Sequence, residues 1–430
     1  MSAMRVFMGF QEVAGYYTNL KKGFNELGIE SVFVNLDKNP FSYGAGQDEP
    51  ALIRLVRYTA QRRFATAKRY ILPKLWWFTI HQLSYALLFA WAVAKFDVFI
   101  FGFLTTFYHY RELPLLRALG KRIVYVFHGS DSRPHYLNGF GSETFPVDKL
   151  VAETRKQKAD VRRAERYAHL VVCNPLSAHF HEKPYLAYQM VGIPFTPRAM
   201  PPKQLEQPAP HRVRILHAPS QKTGKGTAQI RAMIESLQRK GHLIDYVEVS
   251  GKPHTGVLDE LVACDFVVDQ LYSDTPMAHF AREAAAYGKP AVVGGYGGQE
   301  SLRCFAADEL PPTLYCRPEE MEAAIERLIL DAAYRKELGA RAKQFVDTKW
   351  TPRAVAERFA RAVQGQIDVS WEFYPDETRY LFGCGLSAPQ AKSLVRSVIE
   401  FGGISALQLR DKQDLEARFV EYAGCNGSPE

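Results

Sequence analysis

Two short stretches carry side chains suited to holding a phosphorylated sugar. The first is His217-Ala218-Pro219-Ser220-Gln221-Lys222-Thr223-Gly224-Lys225-Gly226-Thr227, and the second is Phe280-Ala281-Arg282-Glu283-Ala284-Ala285-Ala286-Tyr287-Gly288-Lys289-Pro290. The first follows a strand-like run, 212–216, and leads into a helix-like run, 227–237. A small lysine-bearing turn at a helix N-terminus offers phosphate both backbone N–H groups and the positive end of the helix dipole. The second stretch sets Glu283 at the head of a helix ending at Gly288, with a strand at 291–293 after it. A carboxylate there presents paired acceptors to the vicinal hydroxyls of a ribose or another sugar. A Walker A reading fails, because Gly226 rather than Ser or Thr follows Lys225 and the upstream glycine is missing.

A third group is Phe127-His128-Gly129-Ser130-Asp131-Ser132-Arg133, again at the end of an apolar run. A neutral imidazole at His128 can both donate and accept, which suits a sugar hydroxyl. Asp131 and Arg133 either order this loop or meet an acceptor phosphate. His109 and His279 offer the same chemistry as His128 in less suggestive surroundings. Asp269, ending the run 266–270, reads either as a structural cap or as a donor contact.

The elements that would position these groups alternate along the chain. Strands are expected at 4–9, 31–36, 98–103, 123–127 and 170–173, with helices at 17–27, 113–119 and 151–167. Six prolines between Gly192 and Arg212 mark a linker. The alternation then restarts, with strands at 213–216, 246–249, 266–270 and 291–293, and helices at 257–262, 319–330, 332–346 and 353–363. Apolar runs separated by helical patterns predict parallel sheets covered by helices on both faces. The expected fold is therefore α/β, with two doubly wound, Rossmann-like domains facing across a cleft where both sheets present their carboxyl ends. The boundaries read as 1–195, a linker 196–211, a second domain 212–350, a helix 351–365 and a helical appendage 366–430. Helices at 387–401 and 411–422 are expected in that appendage, packed on the second domain or used in oligomerisation.

At 430 residues with 47% hydrophobic composition, the chain is globular and too long for one core. It contains no run of eighteen or more uncharged apolar residues, and its first residues read as a strand rather than a signal peptide. The six cysteines are scattered without CxxC pairing, and Cys173 and Cys264 lie in or beside apolar runs, so a reducing cytoplasm is expected. The net charge of +8 has a location: residues 51–96 hold eight Lys and Arg and no acidic residue. Tyr58, Phe64, Tyr70, Trp76, Trp77, Phe78, Tyr85, Phe89 and Trp91 are interleaved with them. Such a mixture suits an anionic membrane surface. It also fits a solvated helix at 54–69 followed by a buried one at 83–95. A nucleic-acid patch is the third reading, but no known reader motif is present, and nucleic acid is not an expected partner.

Taken in order along 4–363, these residues resemble a GT-B glycosyltransferase of the family 4 type. Four elements carry the resemblance: the loop from Gly9 to Gly15, the His128–Arg133 element, the His217–Thr227 element, and 269–290. The resemblance implies transfer of a sugar from a nucleotide-diphosphate sugar to a glycan or lipid-linked saccharide acceptor, with retention and without a metal or other cofactor. It assigns catalytic roles to His128, Asp131 and Lys225. It assigns donor contacts to Gly15, Ser220, Lys222, Lys225, Gly226, Thr227, Asp269, Thr275, Ala278, His279 and Glu283. Three positions depart from the family pattern: Ser220 stands for a usual Arg, Thr275 for the first of two glutamates, and Ala278 for a glycine. A catalytically silent sugar-nucleotide-binding or scaffold protein, and a nucleotide-sugar epimerase or hydrolase, are the alternatives. A cytoplasmic protein, peripheral on the inner membrane face, is the expected setting.

Overall fold

The computed structural model describes residues 4–36, 50–66, 70–197, 212–251 and 254–425. Most of the expected linker, together with Lys68 and Arg69, lies outside the described residues. Eleven strands follow one another as β1 (Arg5–Phe10), β2 (Glu30–Asn35), β3 (Val98–Gly102), β4 (Arg122–Val126), β5 (Leu170–Cys173), β6 (Tyr185–Ala187), β7 (Val213–His217), β8 (Ile244–Glu248), β9 (Phe266–Val268), β10 (Ala291–Gly294) and β11 (Leu314–Cys316). A twelfth, β12 (Glu372–Phe373), comes from the C-terminal segment.

The first sheet runs β12-β6-β5-β4-β3-β1-β2 and the second β11-β10-β9-β7-β8. All pairings are parallel except β12 on β6. β3 and β5 are buried at every position, as continuous apolar runs covered on both faces should be. The two doubly wound domains are thus present, each with its own parallel sheet.

The chain returns to the first domain through the helix Pro352–Val363. Thr351 caps it by accepting from the Ala354 N–H at 3.2 Å, and Pro352 fills the first turn. This helix lies against the helix Tyr16–Glu26 so closely that a Cβ on Gly23 would stand 1.9 Å from the Pro352 carbonyl oxygen. Val355 and Phe359 join one apolar cluster with Tyr16, Tyr17 and Phe24 of the first domain and Ala281 and Ala285 of the second. The two sheets are therefore packed as one body through a shared core.

Two differences from the sequence expectations bear on function. The segment 51–96 folds as a helical hairpin, Ala51–Ala65 and Ile71–Lys95, and its second helix is not buried. Only Ser84, Leu88 and Ala92 are buried along that helix. Among the described residues it is the one helix long and apolar enough to cross a membrane. Thr79, His81, Gln82 and Ser84 interrupt its apolar run, so no unbroken stretch appears in the sequence.

The C-terminal segment is not purely helical, and it packs largely on the first domain. Its strand β12 extends the first sheet, a two-residue contribution too short to leave a periodic signal. Its helices Ala388–Gly402 and Gln413–Ala423 are anchored by a Tyr136 hydroxyl donating to the Leu407 carbonyl at 3.0 Å and by Lys158 on Asp411 at 2.8 Å. Between them and β12, the segment threads between the domains. Cys384 donates its N–H to the Leu137 carbonyl at 3.0 Å, and Gly385 donates to the Tyr272 carbonyl at 2.7 Å.

Candidate functional site

A cleft of about 510 Å³ opens between the carboxyl ends of the two sheets. Its first-domain wall comes from the loops after β1 and β3: Gln11, Glu12, Val13, Ala14 and Phe103. Its second-domain wall includes Ser220 and Lys225 after β7, Val249 and His254 after β8, and Ala278, His279 and Glu283 at the helix His279–Ala286. Ala14 and Phe103 both sit at positive φ, 47° and 53°. Non-glycine residues rarely adopt this conformation, and it clusters where loops are shaped for a ligand.

Five of the expected donor residues thus meet in one cavity: Ser220, Lys225, Ala278, His279 and Glu283. Lys225 closes the one-turn helix Lys222–Lys225 and holds Asp269 at 2.8 Å. Asp269 is buried and braces the ammonium from behind. Gly226, at φ 72°, lets the chain turn into the helix Thr227–Arg239; a Cβ there would meet Leu271 at 2.6 Å.

The other donor candidates are occupied elsewhere. The Gly226 N–H donates to the Thr223 carbonyl at 3.0 Å. The Thr227 hydroxyl meets His217 Nε2 at 2.9 Å, while His217 Nδ1 donates to the Val268 carbonyl at 2.8 Å. His217 and Thr227 therefore buttress the turn from inside. Lys222 is half-exposed and turned to Glu248 at 2.9 Å. Gly15, at φ 79°, forms the N-cap of the helix Tyr16–Glu26. Thr275 accepts from Gln189 across the domains at 3.5 Å.

Glu283 lies in the second turn of its helix rather than at its head. His254 Nε2 reaches both of its carboxylate oxygens, at 3.1 and 3.2 Å. Its neighbour Arg282 is fully buried. Arg282 donates to the Pro194 carbonyl at 3.3 Å and lies over the Phe195 ring at 4.5 Å. His279 is stripped of its proton: burial pushes its pKa well down, and the charges of Arg282 and Lys225 push the same way.

Two residues that the sequence reading passed over shape the cleft. Glu12 is 3% exposed. It accepts from the backbone N–H groups of Val13, Tyr17 and Thr18 and from the Thr18 hydroxyl, at 2.5 to 3.0 Å. It thereby caps the helix Tyr16–Glu26 with a carboxylate of its own. A Glu with Thr six residues later is the signal that was available for this cap. His254 left none, since its partner lies 29 residues away.

The His128 loop stands behind the cleft. His128 Nε2 meets the Tyr17 hydroxyl at 3.0 Å and Nδ1 the Tyr188 hydroxyl at 3.1 Å. Tyr16 packs edge-on against the same ring at 5.0 Å. Burial among these rings lowers the His128 pKa to about 3. The imidazole is thus neutral, with both nitrogens engaged by tyrosines. His109, at φ 50°, does not line the cleft. Arg133 forms a buried ion pair with Asp274 of the second domain, and the Asp274 carbonyl accepts from Asn174 at 3.2 Å.

Asp131 Oδ1 accepts from the His128 N–H at 2.8 Å and the Gly129 N–H at 2.9 Å, while Oδ2 has no hydrogen-bond partner among the described residues. Burial raises its pKa to about 6, against the pull of those hydrogen bonds. Folding therefore favours the protonated carboxyl between pH ~4 and ~6, and this group's contribution to stability falls as pH rises through that window. Asp131→Asn is expected to gain about 2 kcal/mol relative to wild type on going from pH 4 to pH 7. Urea denaturation of both proteins at the two pH values checks this; parallel curves would remove Asp131 from its desolvated setting.

Among the described residues, no three His, Cys, Asp or Glu side chains gather where a metal ion could be held. The six cysteines are all free, with Cys173, Cys264 and Cys384 buried.

Two parallel-sheet domains that face each other across a ligand-sized cleft define an α/β protein of the GT-B architecture. No protein-family model matches the chain, and no curated protein sequence is significantly similar to it. Among solved structures the chain is similar to the glycosyltransferase SnogD from Streptomyces nogalater, at 14% identity over 84% of this chain and 100% of that one, with a TM-score of 0.42. It is also similar to Anabaena HepE in complex with UDP-glucose, at 13% identity over 84% and 99% of the two chains and a TM-score of 0.46. An alpha-glucosyltransferase in complex with UDP and a mismatched DNA gives 12% identity over 84% and 100%, with a TM-score of 0.49. At these identities and TM-scores, no ligand and no residue role passes from those proteins to this chain.

Proposed function

We propose that the protein is a metal-independent glycosyltransferase of the GT-B family 4 type, moving a sugar from a nucleotide-diphosphate sugar to a glycan or lipid-linked saccharide. The observation that carries this reading is that Lys225 and Glu283 line one interdomain cleft of about 510 Å³. Glu283 takes the ribose hydroxyls of the donor in exchange for His254, and Lys225 takes the diphosphate. In transfer, the anomeric C–O bond breaks and its electron pair passes to the diphosphate oxygen, where Lys225 stabilises the growing charge. The acceptor hydroxyl oxygen forms the new bond and gives its proton to the departing phosphate. Retention at the anomeric carbon comes from the family resemblance. His128, with both ring nitrogens engaged by Tyr17 and Tyr188, acts in this reading by positioning the loop behind the cleft.

The testing experiment is a thermal-shift screen of wild type and Glu283→Gln with UDP, GDP, ADP, CMP and their sugar conjugates. One nucleotide class is expected to raise the wild-type midpoint, because it binds the folded state. The variant should bind that nucleotide about tenfold to a hundredfold more weakly, the effect of losing charge-assisted hydrogen bonds. No shift with any nucleotide removes the donor assignment.

A silent sugar-nucleotide-binding protein is favoured by one observation. Asp274, the carboxylate beside Thr275, is consumed by Arg133 and cannot serve the sugar. Binding without any transferred or released sugar would establish that reading. Sugar released or isomerised without an acceptor would instead mark a hydrolase or epimerase.

A further inference from the structure

The helical hairpin Ala51–Ala65 and Ile71–Lys95 presents an exposed apolar face among the described residues. Leu72, Trp76, Leu83 and Leu87 are 78%, 64%, 62% and 59% exposed. With Thr79 they recur at helical spacing, so they form one stripe along the second helix. Ile71 and Leu75 widen it, at 74% and 58% exposure. The opposite side of this helix roots the hairpin in the first domain. Tyr85 packs on Phe10 at 5.9 Å and Phe107 at 5.8 Å, and Phe89 packs on Phe107 at 5.0 Å.

Basic groups lie on the side of the hairpin turned away from the stripe. The Arg62 guanidinium lies over the Tyr58 and Trp77 rings at 5.2 and 5.8 Å, and Arg63 over Phe78 at 4.8 Å. Lys74 stands on the second helix itself, and the segment carries no acidic residue. A stripe of this size is unusual on a soluble monomer and marks an interaction surface. A second copy of the chain is a poor occupant, because each copy would bring Arg62, Arg63 and Lys74 to the contact from helices that carry no acidic residue. Anionic lipid satisfies both halves of the surface. Its phosphates meet the Arg and Lys heads while leucines and tryptophan enter the acyl boundary.

Length decides how the hairpin sits. Among the described residues the ring contacts of this helix with the rest of the first domain begin at Tyr85, and the portion before them, Ile71 to Leu83, is about 20 Å long at 1.5 Å per residue. A hydrocarbon core is about 30 Å thick, so this portion cannot cross it. Insertion tip-first would also carry Arg62, Arg63 and Lys74 into hydrocarbon. The arrangement that keeps these charges at the phosphates lays the hairpin on its side.

We propose that this hairpin seats the protein on an anionic bilayer surface, lying in the headgroup layer with the stripe from Leu72 to Leu87 facing the lipid. The residues that root it adjoin the cleft: Phe10 precedes Gln11, and Phe107 follows Phe103, both cleft-lining. The seated protein therefore holds its cleft near the membrane. That orientation serves an acceptor anchored in the lipid, a consequence that rests on the glycosyltransferase reading.

The test is flotation of the full chain with vesicles of phosphatidylglycerol and phosphatidylcholine, and with phosphatidylcholine alone. Wild type should float with the anionic vesicles, less so at high salt, and remain behind with the neutral ones. Arg62→Glu/Arg63→Glu/Lys74→Glu should bind anionic vesicles about a hundredfold more weakly. Leu72→Ser/Trp76→Ser/Leu83→Ser should also lose binding, and both variants should keep the wild-type nucleotide thermal shift. Wild type failing to float, or either variant floating equally, overturns the proposal. So does a dimer in light scattering that the serine variant abolishes without any vesicle binding, which would give the face to a second copy. Capture of an acidic protein with no lipid binding overturns it likewise. Side-on seating is read from Trp76, as the fluorescence difference between wild type and Trp76→Phe. Quenching by bromines near the headgroup should exceed quenching by bromines at the chain ends, and the reverse order would overturn that geometry. Flotation needs no nucleotide, so its failure is distinct from failure of the donor site.

Discussion

Replacing Lys225 by alanine is expected to lower kcat for sugar transfer by about 10²–10³-fold, the loss seen when one preorganised donor to a developing oxyanion is removed. The expectation follows from position. Lys225 ends a one-turn helix, lines the cleft, and is 13% exposed, so its charge is little screened by water. Asp269 fixes it at 2.8 Å and leaves the remaining ammonium protons for a ligand. The diphosphate gains charge as the glycosidic bond breaks, so Lys225 contributes more in the transition state than in the bound ground state. The measured signature is therefore a fall in kcat larger than any rise in donor KM. Alanine also leaves Asp269 buried without its cation, which costs stability of its own. Lys225→Ala/Asp269→Asn removes that complication, since the amide carries no charge. If both variants turn over normally while folded, Lys225 is not the group that stabilises the leaving diphosphate.

The parallel sheets were readable because strands covered on both faces must be apolar throughout, as β3 and β5 are. The helix Pro352–Val363 was readable from Thr351 and Pro352, whose capping chemistry is local. Strand β12 was not, because two residues carry no period. Nor was the exposure of the helix Ile71–Lys95, since an apolar helix that faces lipid and one that faces a core have the same composition. Within the site, Lys225 and Glu283 were legible because each belongs to a strand-turn-helix pattern with a chemical reason. The roles of Thr227, Lys222 and His128 turn on which partner the fold gives each of them. Thr227 is spent on His217, Lys222 on Glu248, and His128 on Tyr17 and Tyr188, which lie 111 and 60 residues away. A sequence shows which groups can bond, while folding decides which partner each one meets first.

Arg133→Ala is expected to destabilise the protein by about 3–5 kcal/mol, the cost of leaving one member of a buried ion pair without the other. The Arg133 and Asp274 side chains are 4% and 6% exposed, so water cannot replace the lost partner. The pair joins the two domains at the point where the C-terminal segment threads between them. Leu137 and Tyr272, one from each domain, accept from Cys384 and Gly385 there. Arg133→Met/Asp274→Leu, which removes both charges and keeps similar volumes, should recover most of the loss, because neither member is left desolvated alone. Urea denaturation of the wild type, the two single variants and the double variant closes this cycle. If Arg133→Ala loses less than ~1 kcal/mol, the guanidinium is not the counter-charge that Asp274 requires, a cost within the ordinary range of surface substitutions. If the double variant is as unstable as the single ones, the pair contributes through packing rather than charge. Recovery in the double variant would locate the electrostatic link between the domains at this one contact. Asp274 would then be fixed as a structural carboxylate, leaving Glu283 as the second-domain acid that lines the cleft.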